Sequence, residues 1–276
     1  MNQPAPSGLF ISDVDGTLVT PDKRLTPATL EAAGELRAAA APFTIVSSRP
    51  PRGMAPIAAA LRLVLPFAAF NGASLVGPDL ELIEALRLAP DAAAAALALI
   101  EPRVEAFVFA GDAWLVRDPQ GTKVERERRT VGFEPTVVSG FAAVIDRIDK
   151  IVAVSDDVSA LDRIEAELRA RLGALVNIER SQPYYVDVTH PLANKGAAVR
   201  RLAARLGVDL GRTIVLGDMT NDIAMFRVAG FAIAMGQAPD AVKAAAQAVT
   251  RSNTEDGFAV AVRALVLPRL AGARVG

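Results

Sequence analysis

The chain has 276 residues, with 30 Lys+Arg against 31 Asp+Glu, one His and no Cys. That length allows one large domain or two modest ones around a real core. The absent cysteines exclude disulfides, thiolate zinc sites and Cys nucleophiles, and the single His190 excludes any site that needs two imidazoles.

A triad of the Ser-His-Asp type remains only with His190 as its base. The net charge of −1 and a pI of about 6.0 give no basic footprint for nucleic acid. The N-terminal MNQPAPSGLF lacks the basic-then-apolar order of a secretory leader, and no apolar run approaches the ~20 residues that span a bilayer. A cytoplasmic protein without nucleic-acid or membrane partners is expected.

Short apolar runs at both ends of the chain alternate with helical stretches. Leu9 to Ile11, Phe43 to Val46, Phe67 to Phe70, Thr213 to Leu216 and Phe231 to Ala234 are apolar at most positions, as strands buried on both faces are. Thr26 caps a helix that opens with Pro27, and Leu25 and Leu30 stand at hydrophobic-staple spacing. After Lys195 a helix carries Val199, Leu202 and Leu206 on one face and stops at Gly207. This alternation predicts a doubly wound, mainly parallel, Rossmann-like α/β core.

The middle of the chain reads differently. Ala92 to Ile100 reads as a packed helix. Ala106 to Ala110 and Trp114 to Arg117 flank a Gly111-Asp112 turn and predict a hairpin. Ile148 to Val154 is a further strand, and Ser159 caps a helix with Leu161, Ile164, Leu168 and Leu172 along one face. Val176 to Glu179 and Tyr184 to Thr189 form two more strands around Ser181-Gln182-Pro183. Residues 83–190 are therefore expected to form an inserted α+β domain, with 1–82 and 191–276 forming the core.

The first strand runs into Asp13-Val14-Asp15-Gly16-Thr17. Carboxylates at i and i+2 share one face of a strand, and at its C-terminal end they meet the crevice where α/β proteins bind ligands. A bare Asp-x-Asp-Gly is as often a solvated turn. A second apolar strand ends in Gly217-Asp218-Met219-Thr220-Asn221-Asp222, which adds further oxygen ligands of the hard type suited to Mg²⁺. Asp222 is also placed to favour the N-terminus of the following helix.

With these residues the sequence resembles the haloacid dehalogenase-like (HAD) phosphohydrolases. Four motifs occur in the family's order: Asp13 to Thr17, Ser47 in Val46-Ser47-Ser48-Arg49-Pro50, Lys195 in Asn194-Lys195-Gly196, and Gly217-Asp218 with Asn221-Asp222. Phe70-Asn71-Gly72-Ala73, Ala234-Met235-Gly236 and Ser252 to Gly257 are similar to the Cof-type subgroup, whose large α+β cap lies between the second and third motifs. The motifs cover the core; the cap matches mainly in size and strand pattern.

The resemblance implies a Mg²⁺-dependent phosphatase acting on a small phosphorylated metabolite, a sugar phosphate or a phosphorylated cofactor. In that reading Asp13 is the nucleophile and Asp15 the acid–base, while Asp13, Asp218 and the Asp15 carbonyl bind the metal. Lys195 and Ser47 contact the phosphoryl oxygens. Ser48, Arg49, Asn71 and Gly72 complete the substrate side, and Asn221 and Asp222 support the metal or Lys195 from behind. Asp15 argues against dehalogenase and ion-pump activity. A sugar-phosphate phosphomutase and a non-enzymatic metabolite-binding module are the competing readings, and a monomer or homodimer is expected.

Two departures stand out. Ser47-Ser48-Arg49 replaces the usual Thr-Gly-Arg, which leaves open which serine faces phosphate. Gln237 stands where the subgroup often has Asn. In the inserted region, Trp114, Tyr184 and Tyr185 read as core more readily than as ligand stackers. Arg117, Lys123 and Arg180 read as exposed cations and Lys123 to Arg129 as a solvated face. His190, before Pro191, reads as a hinge or structural residue.

Overall fold

The computed structural model describes residues 8–272. Residues 1–7, which carry most of the stretch inspected for a leader, lie outside the described residues. In chain order the elements of the first half are β1 (Leu9–Asp13), α1 (Pro27–Ala38), β2 (Phe43–Val46), α2 (Pro51–Ala60), β3 (Phe67–Ala69), β4 (Ser74–Val76), β5 (Leu82–Ala85), α3 (Pro90–Ile100), β6 (Glu105–Ala110), β7 (Ala113–Val116), α4 (Val124–Val131) and β8 (Thr136–Val137). They continue with β9 (Lys150–Val154), α5 (Val158–Leu172), β10 (Asn177–Gln182), β11 (Tyr185–Thr189), α6 (Lys195–Arg205), β12 (Thr213–Gly217), α7 (Ile223–Phe226), β13 (Phe231–Ala234), α8 (Asp240–Ala244), β14 (Ala248–Val249), α9 (Gly257–Ala261) and α10 (Leu267–Gly272).

The larger sheet has the order β14-β13-β12-β1-β2-β3-β4-β5. It is parallel from β14 to β3, and β4 and β5 extend it antiparallel. β1 has Phe10 on one face, packed with Ala33, Leu36 and Phe258, and Leu9 and Ile11 on the other, packed with Val199, Leu202 and Phe226. Burial of both faces explains the nearly continuous apolar run, since helices cover each side. The rings of Phe10, Phe43 and Phe258 cluster at centroid separations of 5.3–5.9 Å, with Phe10 stacked on the other two. The chain leaves β1 toward β2 and returns at β12 on its other side. The strand order therefore reverses between β1 and β12, and the crevice beyond their C-terminal ends is the ligand site of this architecture.

The second sheet, β10-β11-β9-β6-β7-β8, is mostly antiparallel and forms the cap. Its side chains divide by period two. Val108, Leu115, Ile151, Val186 and Val188 pack under α3 and α5, whereas Phe107, Phe109, Trp114, Val152 and Tyr185 face the core. Phe109 meets Phe70 of the core at 5.6 Å.

Several expectations need correction. The cap of α5 is Asp157, whose carboxylate accepts from the Ala160 amide, and not Ser159. Leu30 is 39% exposed, so the expected staple buries no second side chain. The run Lys123 to Arg129 is not simply a solvated face, because it contributes α4, whose Val124 and Glu127 are buried. β5 pairs with β4, so the larger sheet runs on to Ala85, past the expected boundary at 82/83.

Thr26 caps α1, accepting from the Thr29 amide, and Pro27 fills the first position. Asn194 does the same for α6, accepting from the Ala197 amide at 2.8 Å. Asn194→Ala should therefore cost ~1 kcal/mol of stability, and Asn194→Asp much less. Denaturant titration of the two variants checks this; equal stability would contradict the capping role.

Candidate active site

Asp13 ends β1 and Asp218 follows β12, so the two central strands deliver one carboxylate each to the switch-point crevice. Gly16 makes this possible. Its φ of +81° lies in the left-handed region, and a Cβ there would collide with the Asp218 carboxylate. Lys195, the first residue of α6, brings its ammonium 2.6 Å from Asp13 Oδ1 and 2.5 Å from Asp222 Oδ1. The other Asp222 oxygen accepts the backbone amides of Asp218 and Met219 at 2.8 and 2.9 Å, so Asp222 braces the turn that carries Asp218. Carboxylate oxygens of Asp13, Asp218 and Asp222 lie within 4.8 Å of one another.

All these groups are nearly or fully buried, and their charges set one another. Burial, opposed by Lys195 and reinforced by Asp222, pushes the Asp13 carboxyl up to about 7. Burial together with the neighbouring Asp13 and Asp222 charges pushes Asp218 up to about 8. For Lys195 burial works against the charge, but Asp13 and Asp222 outweigh it and hold the ammonium well above its ordinary range. A cluster of buried oxygen ligands that resist ionising together fits a hard divalent cation, whose charge would relieve the repulsion.

Asp15 points elsewhere. Arg49 holds it bidentately at 2.7 and 2.8 Å, and Lys23 reaches it at 2.5 Å. Burial favours the neutral acid, yet the two cations prevail and keep the carboxyl far below its usual range. Arg49 also donates to the Thr130 carbonyl of α4 at 2.8 Å, tying this group to the cap.

Ser47 is buried, and its Oγ accepts from the Arg49 amide at 3.2 Å. Ser48 lies along a cleft that runs from Asp15 between Lys150, Ser181 and Tyr185 of the cap. Asn71, at φ +55°, accepts from Asn221 Nδ2 at 3.2 Å, and its amide is bonded to the Ser47 carbonyl. Gly72 packs against Asn194 and Ala198 of α6, where a Cβ has no room. Gln237 donates to the Gly16 carbonyl at 2.6 Å and to Asp218 at 3.3 Å, so it braces the turn above the carboxylates.

Thus Asp13, Lys195, Asp218 and Asp222 converge on one point, Asp15, Ser48 and Arg49 line the cleft beside it, and Gly72 supports the helix below. Trp114 and Tyr185 are buried in the core-facing cluster, Tyr185 with an edge on the cleft, and away from the site His190 Nδ1 accepts the Leu192 amide in the turn that leaves the cap. Arg117, Lys123 and Arg180 pair with Glu101, Asp156 and Glu165 respectively.

The sequence did not single out Lys23, Glu127, Lys150, Glu179 or Asp187. Lys150 pairs with Asp187 at 2.8 Å and donates to the Ser48 carbonyl at 3.1 Å, while Glu127 accepts from the Tyr185 hydroxyl at 3.1 Å. Burial pushes the Glu179 carboxyl up to about 7. A signal existed for Asp187, which is one acid inside the otherwise strand-like Tyr-Val-Asp-Val-Thr.

Carboxylates and a buried lysine gather at the switch point of a capped, doubly wound sheet. The family profile of haloacid dehalogenase-like hydrolases matches residues 10–262. A Haemophilus influenzae protein described as a candidate phosphatase is 32% identical over 90% of this chain and 94% of its own. The pyridoxal phosphate phosphatase YbhA of Escherichia coli is 29% identical over 90% of this chain and 94% of its own. A haloacid dehalogenase-like hydrolase from Bacteroides thetaiotaomicron superposes with a TM-score of 0.84 at 25% identity, covering 93% of this chain and 98% of that one. The chain belongs to the haloacid dehalogenase-like hydrolases, in their Cof-type branch, and is a phosphoric monoester hydrolase. No helix among the described residues is long and apolar enough to cross a membrane.

The raised carboxyls fix the sign of a pH dependence. Between about pH 4 and 8 the metal-free folded chain keeps protons on Asp13 and Asp218 that the unfolded chain has lost, so its stability falls as pH rises. Asp15 acts oppositely: its contribution is present above its ordinary pKa and is lost as pH falls below it. In EDTA the Tm should therefore decline from pH 5 to pH 8, with ~2–4 °C for each kcal/mol lost. A Tm that rises over that interval contradicts the assignment.

Proposed function

We propose that the protein is a Mg²⁺-dependent phosphatase that hydrolyses a small phosphorylated metabolite through an aspartyl-phosphate. The observation that carries this reading is the placement of Lys195 between Asp13 and Asp222, with Asp218 beside them. Lys195 opposes the effect of burial on Asp13 and favours the ionised carboxylate that a nucleophile requires. It also presents its charge to the oxygens of an incoming phosphoryl group. Asp13, Asp218 and the Asp15 carbonyl would hold Mg²⁺, with Asn221 and Asp222 supporting them. When bound, the ion neutralises the repulsion between the carboxylate and the phosphate.

An Asp13 oxygen attacks phosphorus, the bond from phosphorus to the leaving oxygen breaks, and that oxygen takes a proton from Asp15. Water then attacks the aspartyl-phosphate and yields its proton to Asp15, which releases inorganic phosphate and restores the Asp13 carboxylate. The ion pairs with Arg49 and Lys23 favour the unprotonated Asp15 needed for the second step. A phosphate dianion in the cleft competes for those cations and lets Asp15 take the proton needed for the first. Ser47, with its oxygen already accepting from the Arg49 amide, has its hydroxyl hydrogen free to donate to phosphate. We assign residues 86–190 as the cap that encloses the leaving group, because β5 belongs to the core sheet and β6 to β11 form the other.

Asp13→Asn should abolish phosphate release, and Asp15→Asn should lower it ~10²- to 10⁴-fold with alkyl phosphates. EDTA should stop turnover and Mg²⁺ restore it. Phosphate release measured on a panel of sugar phosphates and phosphorylated cofactors checks all three. Full activity in either variant or in EDTA would refute the mechanism, and isomer formation without phosphate release would identify a mutase.

A further inference from the structure

Two motifs of the sequence play no part in the chemistry above, Ala234-Met235-Gly236 and Ser252 to Gly257. The fold brings them together beside the catalytic carboxylates. The segment 250–257 is tied to the end of β13, where the Gly236 amide donates to the Arg251 carbonyl at 3.0 Å. It also closes on itself, with the Gly257 amide on the Ser252 carbonyl and the Thr250 hydroxyl on the Gly257 carbonyl.

Gln237 links this segment to the crevice. Its Nε2 donates to the Gly16 carbonyl at 2.6 Å and to Asp218 Oδ2 at 3.3 Å, and its Oε1 accepts the Asn253 amide at 3.1 Å. A carbonyl only accepts and a backbone amide only donates, so the orientation of the Gln237 amide is forced. Asn253 reaches further along the loop after β1, donating from Nδ2 to the Val19 carbonyl at 2.9 Å. Val19 bridges to both Asp15 and Leu25, and the Thr20 amide bonds the Arg24 carbonyl, so residues 19–25 form a small hairpin. Lys23 stands near its tip, at φ +65°, with its ammonium 2.5 Å from Asp15 Oδ1. A second tie, from Thr26 Oγ1 to Asp256 Oδ1 at 2.7 Å, holds the far end of the hairpin to the same segment. Packing does not account for these contacts, because Gln237 is exposed and Asn253 only half-buried.

We propose that Gln237 and Asn253 are positioning residues of the catalytic centre. Gln237 holds Asp218 in the orientation that metal binding needs, and Asn253 holds the hairpin that presents Lys23 to Asp15. This rests on the phosphatase reading above. Neither residue touches the substrate. A group that orients a metal ligand from behind typically sets ~10- to 100-fold in affinity. The hairpin acts on the rate instead, through the geometry at Asp15.

Calorimetry measures Mg²⁺ binding to the substrate-free protein, and phosphate release gives kcat and KM on glucose 6-phosphate and p-nitrophenyl phosphate. Gln237→Ala should raise the Mg²⁺ Kd ~10-fold. Asn253→Ala keeps the backbone amide that Gln237 accepts, so its Mg²⁺ Kd should stay within ~2-fold of wild type. It should instead lower kcat on glucose 6-phosphate ~10-fold, and less on p-nitrophenyl phosphate, whose leaving group departs without a proton. In a Lys23→Met background Asn253→Ala should add nothing, because the two act as one unit. Asn253→Asp, which also lacks the donor, repeats the test should Asn253→Ala fold poorly. The Tm of each single variant in EDTA should lie within ~4 °C of wild type. An unchanged Mg²⁺ Kd in Gln237→Ala, the same pattern of losses in both variants, or an effect of Asn253→Ala that adds to that of Lys23→Met would overturn the proposal. Wild-type protein that binds Mg²⁺ but hydrolyses neither ester refutes the phosphatase reading and the role of Asn253 with it, while the role of Gln237 is still decided by its Kd.

Discussion

The buried contact of Lys195 with Asp13 and Asp222 organises the rest of the site. A lysine at the first position of a helix opposes the helix dipole, and burial opposes its charge. Lys195 meets both costs and is 2% exposed. Two carboxylates compensate it. One comes from the end of β1, the other from the loop after β12, so the ammonium sits where the strand order of the sheet reverses. Each partner is then committed. Asp222 cannot turn away without releasing the Asp218 and Met219 amides. Asp13 cannot move without leaving Lys195 buried beside a single carboxylate. Removing one member of such a buried set typically costs ~3–5 kcal/mol. The arrangement is therefore poor as a source of stability and well suited to holding charge in fixed positions.

Much of the core was legible because its constraints are local. A short apolar run that ends in Asp or Gly-Asp is a buried strand delivering a carboxylate to one edge, and Asp13 and Asp218 are found there. Thr26-Pro27 announces a helix start by its chemistry alone, and that cap is formed. What escaped depends on pairs far apart in sequence. Lys150 becomes a site residue only when β9 and β11 pair and place it beside Asp187. Glu127 lies in a run of alternating charges whose bland reading is a solvent face; it is buried because α4 docks under Tyr185. Lys23 has no motif at all and acquires its place when the loop after β1 folds back on Asp15.

The loop Ser47-Ser48-Arg49 shows how a departure from the family pattern becomes readable only in three dimensions. From the sequence, either serine serves as the hydroxyl. In the structure they face different tasks. Ser47 is buried, accepts the Arg49 amide and lends its carbonyl to Asn71. Ser48 turns its carbonyl to Lys150 of the cap. Arg49 continues the same division, with two guanidinium nitrogens on Asp15 and the third on the Thr130 carbonyl of α4.

Three consecutive residues therefore join the phosphoryl side of the crevice to the cap through hydrogen bonds, while Phe70 against Phe109 makes the apolar part of the same seam. Such a junction has a physical consequence. Apolar contact tolerates sliding, since dispersion is non-directional, whereas charge-assisted hydrogen bonds to fixed acceptors do not. The Phe pair brings cap and core together, and Arg49 and Lys150 set the register in which they meet. That register determines which cap side chains face the crevice at Asp13, so the loop that borders the carboxylates also sets what stands opposite them.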